Sequence, residues 1–153
     1  MIIFKNPQKI EIFKSFLEQY GKQINKNDLE DEITIVGINE KHKLFSAVST
    51  IEDPFATNIS ISPLLITINE PLCEQLKFTK EEKYAMITHE IGHILDKTVR
   101  ENNNQLNREF NADQFSINLG LSKELKSGLE KIIESGKYEK EVKDINERIK
   151  KMT

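Results

Sequence analysis

The spacing of apolar positions changes along the chain, and those changes set out the expected elements. Asn6-Pro7 pairs a capping side chain with a proline suited to a first helical position. Ile10, Phe13, Leu17 and Tyr20 follow at helical spacing, so a helix is expected over about 7–20, with Gly21 as its stop. The polar GKQINKNDLEDE reads as a loop or a short helical turn. Two runs rich in β-branched and aromatic residues come next, ITIVGI at 33–38 and KLFSAVSTI at 43–51, and NEKH between them has the look of a hairpin turn. EDPFATNISISP reads as a loop. LLITIN at 64–69 is a third strand candidate. Pro63 and Pro71 flank it, which predicts an edge strand.

Helical spacing then returns. TKEE is a capping box, with Thr79 as cap and Glu82 three residues later. The helix it opens should run through Tyr84, Met86, Ile87, Ile91, Ile94 and Leu95 to about Thr98. RENNNQLN interrupts it, REFNADQFSIN carries the next helix, and Gly120 is the expected stop. SKELKSGLEKII and KYEKEVKDINERIKKM read as two more helices on either side of Ser135-Gly136. The order helix, strands, helices predicts an α+β fold. A single domain over 1–153 is expected, with a helix and hairpin in 1–52, a core in 53–120 and a helical tail in 121–153.

Composition narrows the partners. The 153 residues are 37% hydrophobic and 31% charged, with a net charge of −3. A mildly acidic chain without a dense basic patch is a poor nucleic-acid binder. The lysines near the C-terminus alternate with glutamates, as on a solvated helix face. A lone cysteine, Cys73, forms no intramolecular disulfide and fits a reducing compartment or a small buried hydrophobe. Charges and Pro7 interrupt the N-terminal apolar residues too early for a signal peptide. No apolar run approaches the roughly 18 residues that span a bilayer. A soluble, cytoplasmic protein is expected.

The candidate chemistry lies in ITHEIGHILDKT, at 87–98. His89 and His93 stand four apart, so a helix presents both imidazoles on one face. Glu90, about 100° around, can reach a water on an ion held between them. The bland reading is two exposed histidines on an acidic helix. Gly92 fits close packing of a neighbouring helix. A catalytic zinc usually takes three protein ligands plus water. The third histidine, His42, falls in a turn far upstream and reads as solvated, so the third ligand should be a carboxylate. NREFNADQF offers Glu109 and Asp113, four apart. On a bare surface they would repel; beside an ion, Glu109 would bind it and Asp113 would accept the N–H of a ligating imidazole. The alternative is a surface charge pair.

THEIGHI followed by REFNADQFSINLG resembles the gluzincin metallopeptidases of the CAAX prenyl endopeptidase and HtpX group. DPFATN, then LLITINEPLCEQLKFTKEEKYAMITHEIGHI, is similar to that group's loop, edge strand and zinc helix, and INERIKKM to its late R-I segment. The resemblance covers about 53–150. It implies a zincin-like fold with a small mixed sheet whose edge strand packs on the HExxH helix. It implies one Zn2+ on His89, His93 and Glu109, Glu90 as catalytic base, and Asp113 behind the ligands. The chain departs from the group in lacking membrane helices, in a short His93-to-Glu109 spacing, and in Asp53-Pro54 ahead of Phe55-Ala56. The short spacing and soluble character also resemble the ImmA/IrrE-type gluzincins, regulatory proteases acting on one partner.

The expected function is zinc-dependent peptide hydrolysis, and a non-catalytic zinc-binding module is the rival. Arg148 and Tyr138 are candidates for stabilising the oxyanion. Leu65, Ile66, Thr67 and Ile68 are expected to form an edge to which a peptide substrate adds as an extended strand.

Overall fold

A computed structural model describes residues 2–5, 10–25, 33–37, 45–49, 64–96 and 104–152. These form two compact units, Met1–Glu70 and Pro71–Thr153. The expected Asn6-Pro7 cap, the NEKH turn with His42, and the loop around Asp53-Pro54 and Phe55-Ala56 lie outside the described residues.

In the first unit, α1 (Ile10–Asn25) runs past Gly21 rather than stopping there. Phe16, Tyr20 and Ile24, each four apart, are all buried, so the packed face continues beyond the glycine and sets the helix end. Four strands form one sheet: β1 (Ile2–Lys5), β2 (Ile33–Gly37), β3 (Phe45–Ser49) and β4 (Leu64–Ile68), in the order β1-β2-β4-β3. β1, β2 and β4 run parallel, while β3 pairs with β4 antiparallel.

This order corrects two expectations. β2 and β3 are not a hairpin, because β4 lies between them. β4 is not an edge strand, because Leu65, Ile66, Thr67 and Ile68 each face a partner on both sides, in β2 and in β3. An interior strand reads as a near-continuous apolar run, as LLITI does apart from Thr67. Of the flanking prolines, Pro63 lies outside the described residues, and Pro71 sits in the first turn of α2 (Glu70–Gln75), where a missing N–H costs nothing.

The second unit is built from helices. After α2 come α3 (Lys80–Leu95), α4 (Gln105–Asn118), α5 (Ser122–Glu134) and α6 (Val142–Met152). α3 packs on α4 and α5, and α6 packs on the same two helices. Of the residues whose side chains are described, 79% are helical and 1% are in strands. The expected α+β fold, a mixed sheet with its edge strand laid on the HExxH helix, is therefore corrected. His89 and His93 lie on α3, which packs on the helices α4 and α5.

Local chemistry sets the helix ends. Thr79 Oγ1 accepts from the Glu82 amide at 3.1 Å and Glu82 Oε2 accepts from the Thr79 amide at 2.8 Å, which completes the capping box. The asparagine run supplies a cap as well as a break: Asn104 Oδ1 accepts from the amides of Leu106 and Asn107. Gly120, at φ 83°, ends α4, and the Leu121 amide returns to the Ser116 carbonyl at 3.0 Å. No described helix is long and apolar enough to cross a membrane.

Candidate metal centre

α3 and α4 meet at Gly92. A Cβ there would lie 2.7 Å from the Ala112 carbonyl oxygen and 2.8 Å from the Ala112 Cα. The contact is thus backbone against helix, and only glycine permits it. A second tie lies one turn earlier: Thr88 and Ser116 are buried, their hydroxyls 2.6 Å apart and each 2.8 Å from the Ala85 carbonyl.

This close approach brings the sequence-predicted residues together. His89 Nε2 is 3.2 Å from Glu109 Oε2, and His93 Nε2 is 3.4 Å from Glu109 Oε1. The two rings stand edge to face with centroids 4.6 Å apart. One ligand atom from each of His89, His93 and Glu109 lies within 4.8 Å of the others, so the group can hold a metal ion. Zinc bonds of about 2.0–2.1 Å in a tetrahedron place neighbouring ligand atoms roughly 3.3 Å apart. Each imidazole here meets a different oxygen of the Glu109 carboxylate, so a single bound oxygen would have to serve both edges.

The cluster is graded in exposure. His89 and Asp113 are 3% exposed and Glu90 and Arg148 are 7%. His93 and Glu109 are half-buried, which leaves their side open to water. Asp113 Oδ1 lies 2.8 Å from His89 Nδ1, where it can accept a hydrogen bond from the Nδ1–H and leave the Nε2 lone pair free. Arg148 sits behind Asp113 and Glu109. Tyr138, the other oxyanion candidate, is not brought into the cluster: its hydroxyl is buried without a hydrogen-bond partner, and burial, then Cys73 and Glu141, raise its pKa.

Electrostatics follow the same map. Burial and Arg148 pull the His89 pKa down, but hydrogen bonds with Asp113 and Glu109 and the charge of Glu90 prevail and raise it to about 9 in the metal-free cluster. Burial would raise the Glu109 and Asp113 pKa values. Hydrogen bonds with the histidines for Glu109, and with His89 and Arg148 for Asp113, hold both below the usual carboxylate range. Glu90 moves the other way. Burial raises its pKa and the Glu109 charge adds to that, against the opposing histidines and Arg148.

Gln105 is a member that the sequence reading missed. Its side-chain N–H donates to Glu109 Oε1 at 2.7 Å, and Arg108 donates to its oxygen at 2.5 Å. The only available signal was its place four residues before Glu109. No family model matches the chain, and no curated protein or solved structure does either.

Proposed function

We propose that the chain is a zinc metallopeptidase of the gluzincin type, with His89, His93 and Glu109 as ligands to one zinc ion. The observation that carries this reading is the convergence of three ligand atoms within 4.8 Å, next to a buried Glu90 with a raised pKa. Bound zinc would supply Lewis acidity, polarising a substrate carbonyl and lowering the pKa of water. Glu90 would be the residue to take a proton from water and return it to the leaving amine. Its raised pKa brings it nearer the range in which one carboxylate both accepts and returns a proton. Asp113 would keep the His89 proton on Nδ1 and so leave Nε2 free to hold the ion. A peptide substrate meets the cluster on its more open His93–Glu109 side.

A zinc held only for structure would usually be closed by four protein ligands and would have no use for a base. The cluster found among the described residues has three ligands.

The test is metal analysis of the purified protein, joined to a peptide-cleavage profile. Glu90→Gln should keep stoichiometric zinc and lose hydrolysis. Undiminished turnover in that variant at full zinc loading would rule out the peptidase reading.

A further inference from the structure

The two carboxylates of α4 lie at opposite nitrogens of one imidazole. Glu109 Oε2 is 3.2 Å from His89 Nε2, and Asp113 Oδ1 is 2.8 Å from His89 Nδ1. Either ring nitrogen is chemically able to bind a metal, and either carboxylate is able to orient the ring. Their four-residue spacing is symmetric and does not say which does which. The asymmetry comes from another helix.

Arg148, on α6, places Nε 2.8 Å from Asp113 Oδ2 and NH2 2.7 Å from Asp113 Oδ1. That is the two-bond fork a guanidinium makes with a carboxylate. NH1 reaches Glu109 Oε2 at 3.2 Å. NH2 also lies 3.4 Å from His89 Nδ1, but both nitrogens are donors once Nδ1 carries a proton toward Asp113, so this approach is not a bond. Asp113 is buried and accepts from both partners, and removal of Arg148 would leave it as a buried charge facing an imidazole alone.

We infer that Arg148 is a positioning residue that assigns the two carboxylates their roles: its fork clamps Asp113 against His89 Nδ1, which turns Nε2 toward the metal and leaves Glu109 as the ligand. Arg148 is directed at the carboxylates and acts through them. This rests on the metal reading of the same site. Lysine at 148 restores a charge but not the fork, because an ammonium is a point donor.

The experiment compares the full chain with Arg148→Gln, Arg148→Lys, Asp113→Asn and the double variant Arg148→Gln/Asp113→Asn. Zinc affinity is read by chelator competition, coordination by the absorption spectrum of the Co2+ form, and the clamp itself by the NMR signal of the His89 Nδ1 proton in the metal-free protein. Arg148→Gln should lose about 10- to 100-fold in zinc affinity, as is usual when a partner behind a metal ligand is removed. It should also shift the Co2+ spectrum and lose the Nδ1 proton signal. Arg148→Lys should recover part of each. The double variant should bind zinc no more weakly than the weaker single one, since both changes break one clamp.

If Arg148→Gln does not fold, the lysine and double variants carry the comparison, the latter having neither buried charge. A wild-type chain that binds no metal, yet loses the Nδ1 signal on Arg148→Gln, overturns the zinc reading and supports the clamp. An unchanged Nδ1 signal and unchanged affinity in Arg148→Gln, or losses that add in the double variant, overturn the clamp.

Discussion

Gly92 sits between the two histidines and does its work on the opposite helix. A methyl group at 92 meets the Ala112 backbone at 2.7–2.8 Å, which no side-chain rotation relieves. α4 would have to retreat, and Glu109, one turn before Ala112, would retreat with it. Gly92→Ala should therefore destabilise the fold by about 1–3 kcal/mol, the usual cost of overpacking, and lower zinc affinity in the folded fraction. Thermal unfolding and chelator competition read the two effects, and wild-type affinity in the variant would show that the approach at Gly92 does not set the site. A second pair of variants separates the carboxylates. Glu109→Ala removes a proposed ligand and should cost far more zinc affinity than Asp113→Ala, for which about 10- to 100-fold is expected. Metal retained by Glu109→Ala and lost by Asp113→Ala would reverse the two roles. His89 with His93, and Glu109 with Asp113, were legible as candidates because a helix converts four-residue spacing directly into a shared face, and Glu90 was legible from its place beside His89. The partnership of Arg148 with Asp113 was not. It joins residues 35 apart in sequence, and no local periodicity encodes a meeting of α4 and α6.

At the scale of elements, the capping box of α3 is tied into the tertiary structure. Glu82, besides closing the box, accepts from Ser127 at 2.6 Å and Lys131 at 2.7 Å, so the start of α3 is fastened to α5. Burial opposes ionisation of Glu82, but the bonds from Lys131, Ser127 and the Thr79 amide prevail and lower its pKa below the ordinary 4.5. The sign follows directly. A carboxylate with a depressed folded-state pKa adds stability that is complete above its unfolded value of 4.5, and that stability is lost as pH falls through the lower folded value. Glu82→Gln preserves the box but not the charge. It should cost about 1.5–3 kcal/mol at pH 7, the range of hydrogen bonds to charged groups, and the gap to wild type should narrow toward pH 3. Urea unfolding at the two pH values measures this, and a gap of equal size at both would remove the ionic contribution. The box itself was legible, since Thr79 and Glu82 are three residues apart. The strand order was not. Pairing of β2 and β3 with β4 rather than with each other depends on which strand can be covered on both sides, a property of the assembled sheet.

At the scale of the molecule, every residue of the proposed centre belongs to one unit. His89, Glu90 and His93 lie on α3, Gln105, Glu109 and Asp113 on α4, and Arg148 on α6, all within Pro71–Thr153. Within that unit α3 packs on α4 and α5, and α6 packs on α4 and α5. The unit also carries a run of fully buried apolar residues. Tyr84, Ile87, Ile91, Leu125 and Leu129 are all at most 1% exposed and recur at the three- and four-residue steps that put one helix face inward. The metal-binding part of the proposed function should then reside in this unit alone. A chain comprising residues 71–153 should bind one zinc ion with an affinity within roughly tenfold of the full chain, a difference of about 1.4 kcal/mol. Ending that fragment before Val142 should remove α6 and Arg148 with it, and should cost at least as much affinity as Arg148→Gln does in the full chain. Calorimetric zinc titration of the two fragments and the full chain makes the comparison, with circular dichroism to establish that the longer fragment is helical. A longer fragment that is folded but binds zinc more than a hundredfold more weakly would mean that residues of the first unit take part in holding the centre.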